Sequence, residues 1–465
     1  MKITVLGAAR RVTGSMYYVE TRQARFLVDA GQFQGDADAE ELNRADLPFG
    51  PEDLDFILVT HSHLDHIGRL PLLVHRGIEV PLYATAATRD LTGIMLLDAA
   101  HLEEEETFSE NKRRQRRGLP PRDPLFTVED ALQVSRNFVR PVAYGETVEA
   151  APGVRFTFRD AGHIVGSAFL ELEVQENGTR KQVVFSGDLG NPGKPIVRDP
   201  DAPVVKTPDL VFLETTYGNR DHKGLAESLQ ELKEAIHDTF RRGGNVVIPS
   251  FALERAQDLL YFLREFSEQG DLPHGTKVFL DSPLAIEATR IFRAHPECFD
   301  DEARELLKRH RDLFTFPGLQ FTRSVEASRQ INHIKSGAII IAGSGMCTGG
   351  RIKHHLKHNL WRPESSVVFV GFQAKGTLGR RIVDGESPVF IYGEEIVVRA
   401  KIYTINGFSA HAGRSELLDW ASRFQRGTAF ALVHGEPEAM DALAADLLRT
   451  GYQVQTPELH QTLEV

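Results

Sequence analysis

The sequence predicts an α/β protein in which packed sheets with flanking helices are interrupted by a second unit, a parallel sheet wound with helices. Three observations carry this. Residues 1 to about 190 alternate β-branched runs with turn signals and hold few helical stretches, the texture of packed sheets. Residues 210 to 390 alternate strand-like and helix-like segments, the mark of a parallel sheet with helical crossovers. The remainder returns to the first texture, so the middle reads as an insertion, and 465 residues exceed what one core comfortably serves.

In chain order, Ile3 to Leu6, Arg25 to Val28, Phe56 to Val59, Val154 to Phe158, Ala168 to Val174 and Gln182 to Phe185 read as strands. Between 88 and 117, Leu91, Ile94, Met95, Leu97, Asp98 and Leu102 recur at helical spacing and run into Glu103 to Glu106 and Lys112 to Arg117. That describes a long helix with a solvated, charged end. Strand candidates of the middle segment are Leu210 to Leu213, Asn245 to Pro249, Lys277 to Leu280, Ala338 to Ala342 and Val367 to Val370, with amphipathic helices at Leu225 to Arg241 and Arg255 to Glu268. Ile396 to Val398, Lys401 to Ile405 and Ala429 to Val433 resume the first pattern. The expected division is 1–208, 209–394 for the insertion, and 395–465.

Composition narrows the function. A hydrophobic fraction of 41%, with 39 Gly and 23 Pro spread along the chain, is that of an ordinary soluble protein. Arg10 and Arg11 arrive before any apolar core of signal-peptide length, and no run reaches a membrane span, so a cytoplasmic protein without a membrane partner is expected. Cys298 and Cys347 are the only cysteines; any metal must be held by His and Asp. The net charge of −11 does not advertise a nucleic-acid binder. A polyanionic substrate would need locally gathered basic residues or the field of bound metals.

The densest signal is His61-Ser62-His63-Leu64-Asp65-His66, directly after the apolar run Phe56 to Val59. Neutral imidazoles with a carboxylate are what borderline divalent metals bind, zinc above all. His61 and His63, two apart, can point the same way while Asp65 and His66 diverge to a neighbouring face, so one loop could feed two metals. A binuclear site needs roughly six to eight ligands. Three further positions set a His or Asp beside glycine past an apolar run: His163 in Asp160-Ala161-Gly162-His163, Asp188 in Ser186-Gly187-Asp188, and His434 in Val433-His434-Gly435.

Together these motifs resemble the metallo-β-lactamase fold, an αββα sandwich, and within it the β-CASP nucleases of RNA processing, over nearly the whole chain. The first family motif aligns with Asp29 in Val28-Asp29-Ala30-Gly31, the second with His61 to His66, the third with His163 and the fourth with Asp188. The β-CASP motifs align with Glu214 in Leu213-Glu214-Thr215-Thr216-Tyr217-Gly218, with His411 in Gly407-Phe408-Ser409-Ala410-His411, and with His434. The resemblance implies two Zn2+ ions, one held by His61, His63 and His163, the other by Asp65, His66 and His434, with Asp188 bridging. It implies that Asp29 orients a ligand histidine or the site water. Glu214 and His411 would form a hydrogen-bonded pair, and Asp65, Asp188, Glu214 and His411 would carry the chemistry.

The implied activity is zinc-dependent hydrolysis of RNA phosphodiesters by a metal-activated water, with His411 protonating the leaving oxygen. Phosphate contacts are expected in the insertion. Ser344 and Gly345 lie in the glycine-rich run Gly343 to Gly350, which would expose N–H groups as an anion nest; Arg351 opens the basic stretch to His358, Lys375 sits in Phe372 to Arg380, and Arg255 opens a helix. Competing readings are a small-ester or thioester hydrolase, which would not require the long insertion, DNA processing, and a scaffolding subunit, against which every motif position retains a competent residue. After His434 the chain continues only to Val465, unlike ribonuclease J relatives and more like bacterial homologues of the cleavage and polyadenylation endonuclease. Endonucleolytic cleavage is therefore expected over 5′-to-3′ exonuclease activity, and a homodimer is compatible with the sequence.

Overall fold

The structure, a computed structural model, describes residues 1–35, 37–176, 178–310 and 312–465. Two compact units emerge: Met1–Gly193 with Val197–Asp221 and His411–Val465, and Lys194–Ile196 with His222–Ala410.

The first unit opens with β1 (Lys2–Val5), β2 (Tyr17–Glu20), β3 (Arg25–Val28), β4 (Phe56–Leu58) and β5 (Leu82–Tyr83). They lie side by side in that order, antiparallel up to β3 and parallel from β3 to β5. A second sheet follows from β6 (Thr147–Ala151), β7 (Val154–Asp160), β8 (Ala168–Glu176), β9 (Thr179–Phe185) and β10 (Leu210–Glu214). Alternation along β3 shows how the layers form. Phe26 and Val28 join Phe156, Phe158, Phe185 and Phe212 in the interior between the sheets, whereas Leu27 faces the other way, among Leu70, Leu73 and Leu96 of the covering helices. Phe26 stacks on Phe56 at 4.5 Å and Phe185 on Phe212 at 4.7 Å; each such buried ring contributes about 1.5–3 kcal/mol. The expected long helix spans Ala86–Arg116, capped by the Thr85 side chain. Its basic end is exposed, with Lys112 over the Phe108 ring.

The second unit carries β11 (Val246–Pro249), β12 (Lys277–Leu280), β13 (Leu319–Phe321), β14 (Ala338–Ala342), β15 (Ser366–Phe369), a small hairpin of β16 (Val389–Ile391) and β17 (Glu394–Ile396), and β18 (Lys401–Thr404). The main sheet has the order β13-β12-β14-β11-β15-β18 and is parallel throughout. Every residue of β11, β14 and β15 is buried, as a parallel sheet covered on both faces requires.

The chain then returns to the first unit with β19 (Ala429–Val433), β20 (Gln453–Gln455) and β21 (Thr462–Glu464). β19 pairs parallel with β10 and β20, and β21 closes the first sheet on β1. Leu417 and Trp420 of helix Arg414–Ala421, and Leu443 and Leu447 of helix Pro437–Arg449, pack on Val211, Leu213, Phe430 and Leu432. This completes the αββα order.

Three strands lie on other sides of the expected boundaries at 209 and 394. Leu210–Glu214 runs between β9 and β19 in the first unit, Lys401–Thr404 pairs with β15 in the second, and Ile396 ends the hairpin. All are short, and for β10 and β18 a parallel partner can be supplied by either sheet, so local texture does not assign them. Among the described residues no helix is long and apolar enough to cross a membrane.

Candidate metal centre

Apart from His411, the motif residues of the first unit stand at or just past strand ends. Asp29 follows β3, His61 to His66 follow β4, His163 follows β7, Asp188 follows β9, Glu214 closes β10 and His434 follows β19. β9, β10 and β19 are parallel, and β7 runs the same way because two antiparallel steps separate it from β9. Their carboxyl ends therefore share one edge. Asp29 (φ 59°) and His434 (φ 51°) adopt left-handed backbone, uncommon outside glycine and a mark of functional constraint.

Two groups of ligand atoms that share no residue form there, His61, His63, His163 and Asp188 in one and Asp65, His66 and His434 in the other, and a third of Asp188, Glu214 and His434 overlaps both. His63 Nδ1 lies 3.2 Å from both His61 Nε2 and His163 Nε2, and His66 Nε2 lies 3.2 Å from His434 Nε2. Asp65 Oδ2 stands 3.3 Å from His434 Nε2. Asp188 faces both groups. Its Oδ2 is 3.5 Å from His61 and 3.7 Å from His163, while its Oδ1 is 3.2 Å from His66 and 3.6 Å from His434.

The surrounding hydrogen bonds decide which nitrogen each ring presents. Asp29 Oδ2 accepts from His66 Nδ1 at 2.7 Å and from the Thr60 hydroxyl at 2.7 Å, and Asp29 Oδ1 accepts from Thr60 N at 2.8 Å. Having donated its proton to Asp29, the Thr60 hydroxyl can only accept from His61 Nδ1, 3.2 Å away. The Thr216 hydroxyl contacts the His434 carbonyl at 3.3 Å and His434 Nδ1 at 3.1 Å, which is the same arrangement. In their neutral, ligating form His61, His66 and His434 thus carry the proton on Nδ1 and turn the Nε2 lone pair toward Asp188; burial opposes protonation of His66 and His434, but Asp188 prevails and raises both, so a metal competes with a proton there.

Lone pairs on nitrogens 3.2 Å apart repel unless a cation lies among them. Ligands 2.0–2.1 Å from a tetrahedral zinc stand about 3.3 Å from one another, the spacing seen here. Both Asp188 oxygens are buried without a hydrogen-bond donor of good geometry. Burial holds the His63 pKa down to about 4 and His61 well below its ordinary value, leaving both imidazoles neutral near pH 7, as ligation requires. For Asp188, burial opposes ionisation, but His434, His66 and His61 outweigh it and hold its pKa well below the usual carboxylate range. The donor set fits a pair of divalent cations.

Glu214 is fully buried; its Oε1 accepts from Leu189 N at 2.7 Å and faces His411 Nδ1 at 3.4 Å. His411 sits 3.8 Å from Asp188 Oδ2 on a loop tied down by the Ala412 N–H to the Leu189 carbonyl. Burial opposes protonation of His411, but Glu214 prevails and its pKa is raised.

The residues expected to contact phosphate fare differently. Arg255 is buried with its guanidinium 3.2 Å from Asp258, and Lys194 joins the same carboxylate at 3.8 Å. Arg351 donates to Asp281 Oδ1, the Thr322 carbonyl and the Arg323 carbonyl at 2.7–2.9 Å. Both guanidinia thus have carboxylate partners within the second unit. The stretch after Arg351 is likewise a helix, Ile352–Asn359, with a buried face of Ile352, His355, Leu356 and Asn359 and an exposed face of His354 and His358. Ser344 is half-buried and receives the Gly349 N–H, Gly345 is buried, and Lys375 is exposed. Thr60 and Thr216 were not singled out from the sequence, although each directly adjoins a motif.

A histidine and aspartate constellation at one edge of an αββα sandwich defines a metal-dependent hydrolase of the metallo-β-lactamase type. The model described as the Metallo-beta-lactamase superfamily matches residues 9–237, the Beta-Casp domain matches 256–382, and the Zn-dependent metallo-hydrolase RNA specificity domain matches 395–457. Ribonuclease TTHA0252 of Thermus thermophilus is 40% identical over 454 residues, covering 98% of this chain and 97% of the relative. Transcription termination factor FttA of Methanocaldococcus jannaschii is 31% identical over 466 residues, covering 98% of this chain and 70% of its own. A crystal structure of a protein of unknown function from Enterococcus faecalis matches with a TM-score of 0.54 at 11% identity, over 100% of this chain and 99% of that one, a likeness of fold alone. The chain belongs to the metallo-β-lactamase β-CASP ribonuclease family, a zinc-dependent family.

Proposed function

We propose that this protein is a zinc-dependent endoribonuclease that holds two metal ions and hydrolyses internal phosphodiester bonds of RNA. The carrying observation is Asp188, whose two buried oxygens each face a separate set of imidazole nitrogens. In this reading His61, His63 and His163 would hold one zinc and Asp65, His66 and His434 the other, with Asp188 available to both sets. Zinc so held supplies Lewis acidity, making hydroxide available near neutral pH and neutralising phosphate oxygens.

The chain's own residues do the rest. Asp29, Thr60 and Thr216 hold the ligand rings in one tautomer. His411, with its pKa raised by Glu214, carries a proton to the leaving oxygen as the P–O bond breaks. Glu214 positions His411. Lys375 and the Ser344-Gly345 loop supply phosphate contacts, whereas Arg255 and Arg351 act structurally.

Circular RNA tests the mode of attack, because it has no end. Its cleavage by zinc-loaded protein, abolished by chelation, is expected. Resistance of the circle together with mononucleotide release from linear 5′-phosphorylated RNA would replace this reading with an exoribonuclease.

A further inference from the structure

Two aromatic rings at the carboxyl end of the second unit's sheet are left open to solvent. Phe251, after β11, is 42% exposed, and Phe372, after the neighbouring β15, is 48% exposed. Scattered surface aromatics need no explanation, but Phe251 has a constructed seat. A Cβ on Gly345 would stand 2.7 Å from Phe251 Cδ2, and one on Gly371 would stand 3.7 Å from its Cε2. Gly345 belongs to the loop after β14 and Gly371 to the loop after β15, the two strands that flank β11. At Gly345 any side chain would displace the ring.

The same loops are stitched beneath the ring. Gln373, buried, donates its side-chain amide to the carbonyls of Gly345 (3.0 Å), Gly371 (3.2 Å) and Phe372 (3.0 Å). The aromatic surface thus rests on a fixed backbone. Its charge is equally selective: Glu254, the single acid among residues 250–254, 343–350 and 371–377, is buried, while Lys375 and Thr348 are exposed. A polyanion meets no exposed carboxylate on these loops.

We propose that Phe251 and Phe372 form a base-stacking platform for single-stranded RNA, with Lys375 attending the backbone. The proposal rests on the ribonuclease reading and deepens it, since it specifies unpaired RNA as the substrate class. Aromatic faces accept any base, but only one that is unstacked from a duplex; the platform therefore selects for strand state and not for sequence.

The test measures affinity for a labelled, unstructured RNA by fluorescence anisotropy, with zinc-loaded protein in a His411→Ala background to prevent cleavage. Phe251→Ala and Phe372→Ala are each expected to raise Kd by about 5- to 100-fold, with melting temperatures near that of the parent. Phe251→Trp should bind within about threefold of the parent, and Phe251→Leu, apolar but without a π face, should not. An abasic nucleotide at the engaged position should weaken binding to the parent and add nothing in Phe251→Ala. Alanine variants binding within twofold, or full rescue by leucine, would overturn the platform alone. Protein that neither binds nor cuts any RNA would overturn the platform and the ribonuclease reading together.

Discussion

Loops at the strand ends of the two units use similar residues, glycine with histidine, arginine and aspartate, and arrange them in opposite ways. In the first unit, both Asp188 oxygens and the Nε2 atoms of His61, His66 and His434 meet in a buried space, and among the described residues no donor of good geometry satisfies the Asp188 oxygens. In the second, one buried charged cluster has been answered from within. Asp281 receives Arg351, Ser328 and His355, and Arg255 faces Asp258. A buried polar group without a partner is costly, so the convergent His and Asp atoms of the first unit suit a bound cation, and the paired Asp281 cluster is architecture.

Replacing the centre of the unanswered cluster should have the largest effect. Asp188→Ala is expected to bind fewer than two zinc ions per chain by elemental analysis and to lose on the order of 10^4-fold or more in RNA cleavage, beyond what loss of a general acid costs. Retention of both metals would remove the bridging role. Next, His411→Ala should keep both ions yet lose roughly 10^2–10^4-fold in kcat, and zinc loss in this variant would make His411 a ligand instead.

The answered cluster makes the converse prediction. Arg351→Ala breaks a buried ion pair and should lower unfolding free energy by about 3–5 kcal/mol, read by denaturant titration, with no selective rise in KM for RNA. Unchanged stability with a raised KM would return Arg351 to the substrate and erase the contrast. The smallest expected effect lies in the hydroxyls behind the ligands. Thr216→Val should weaken zinc binding about 10- to 100-fold in a chelator competition, and Thr216→Ser should restore it. A valine variant with full affinity would show that the Thr216 bond to His434 is incidental.

Much of the His/Asp cluster was legible before any coordinates. His61 to His66 stood out because a metal site needs rare residue types at short spacing, glycine beside His163, Asp188 and His434 pointed to the others, and the structure brings these residues into groups that could hold a metal ion. The partners of Arg255 and Arg351 were not legible: a guanidinium after a strand looks the same in sequence whether it faces a phosphate or pairs with a carboxylate, as Arg351 does with Asp281.

The one-dimensional pattern by itself determined the ligand types, the layered α/β character and the presence of an insertion, since residue chemistry and short-range periodicity are local properties. Tertiary structure alone decided that β10 and β18 exchange the sheets their texture suggested, that Thr60 and Thr216 choose the tautomers, that Asp188 turns one oxygen to each imidazole set, and that Phe251 rests on Gly345. Each of these depends on which distant backbone ends arrive side by side, and that is set by the packing of whole sheets.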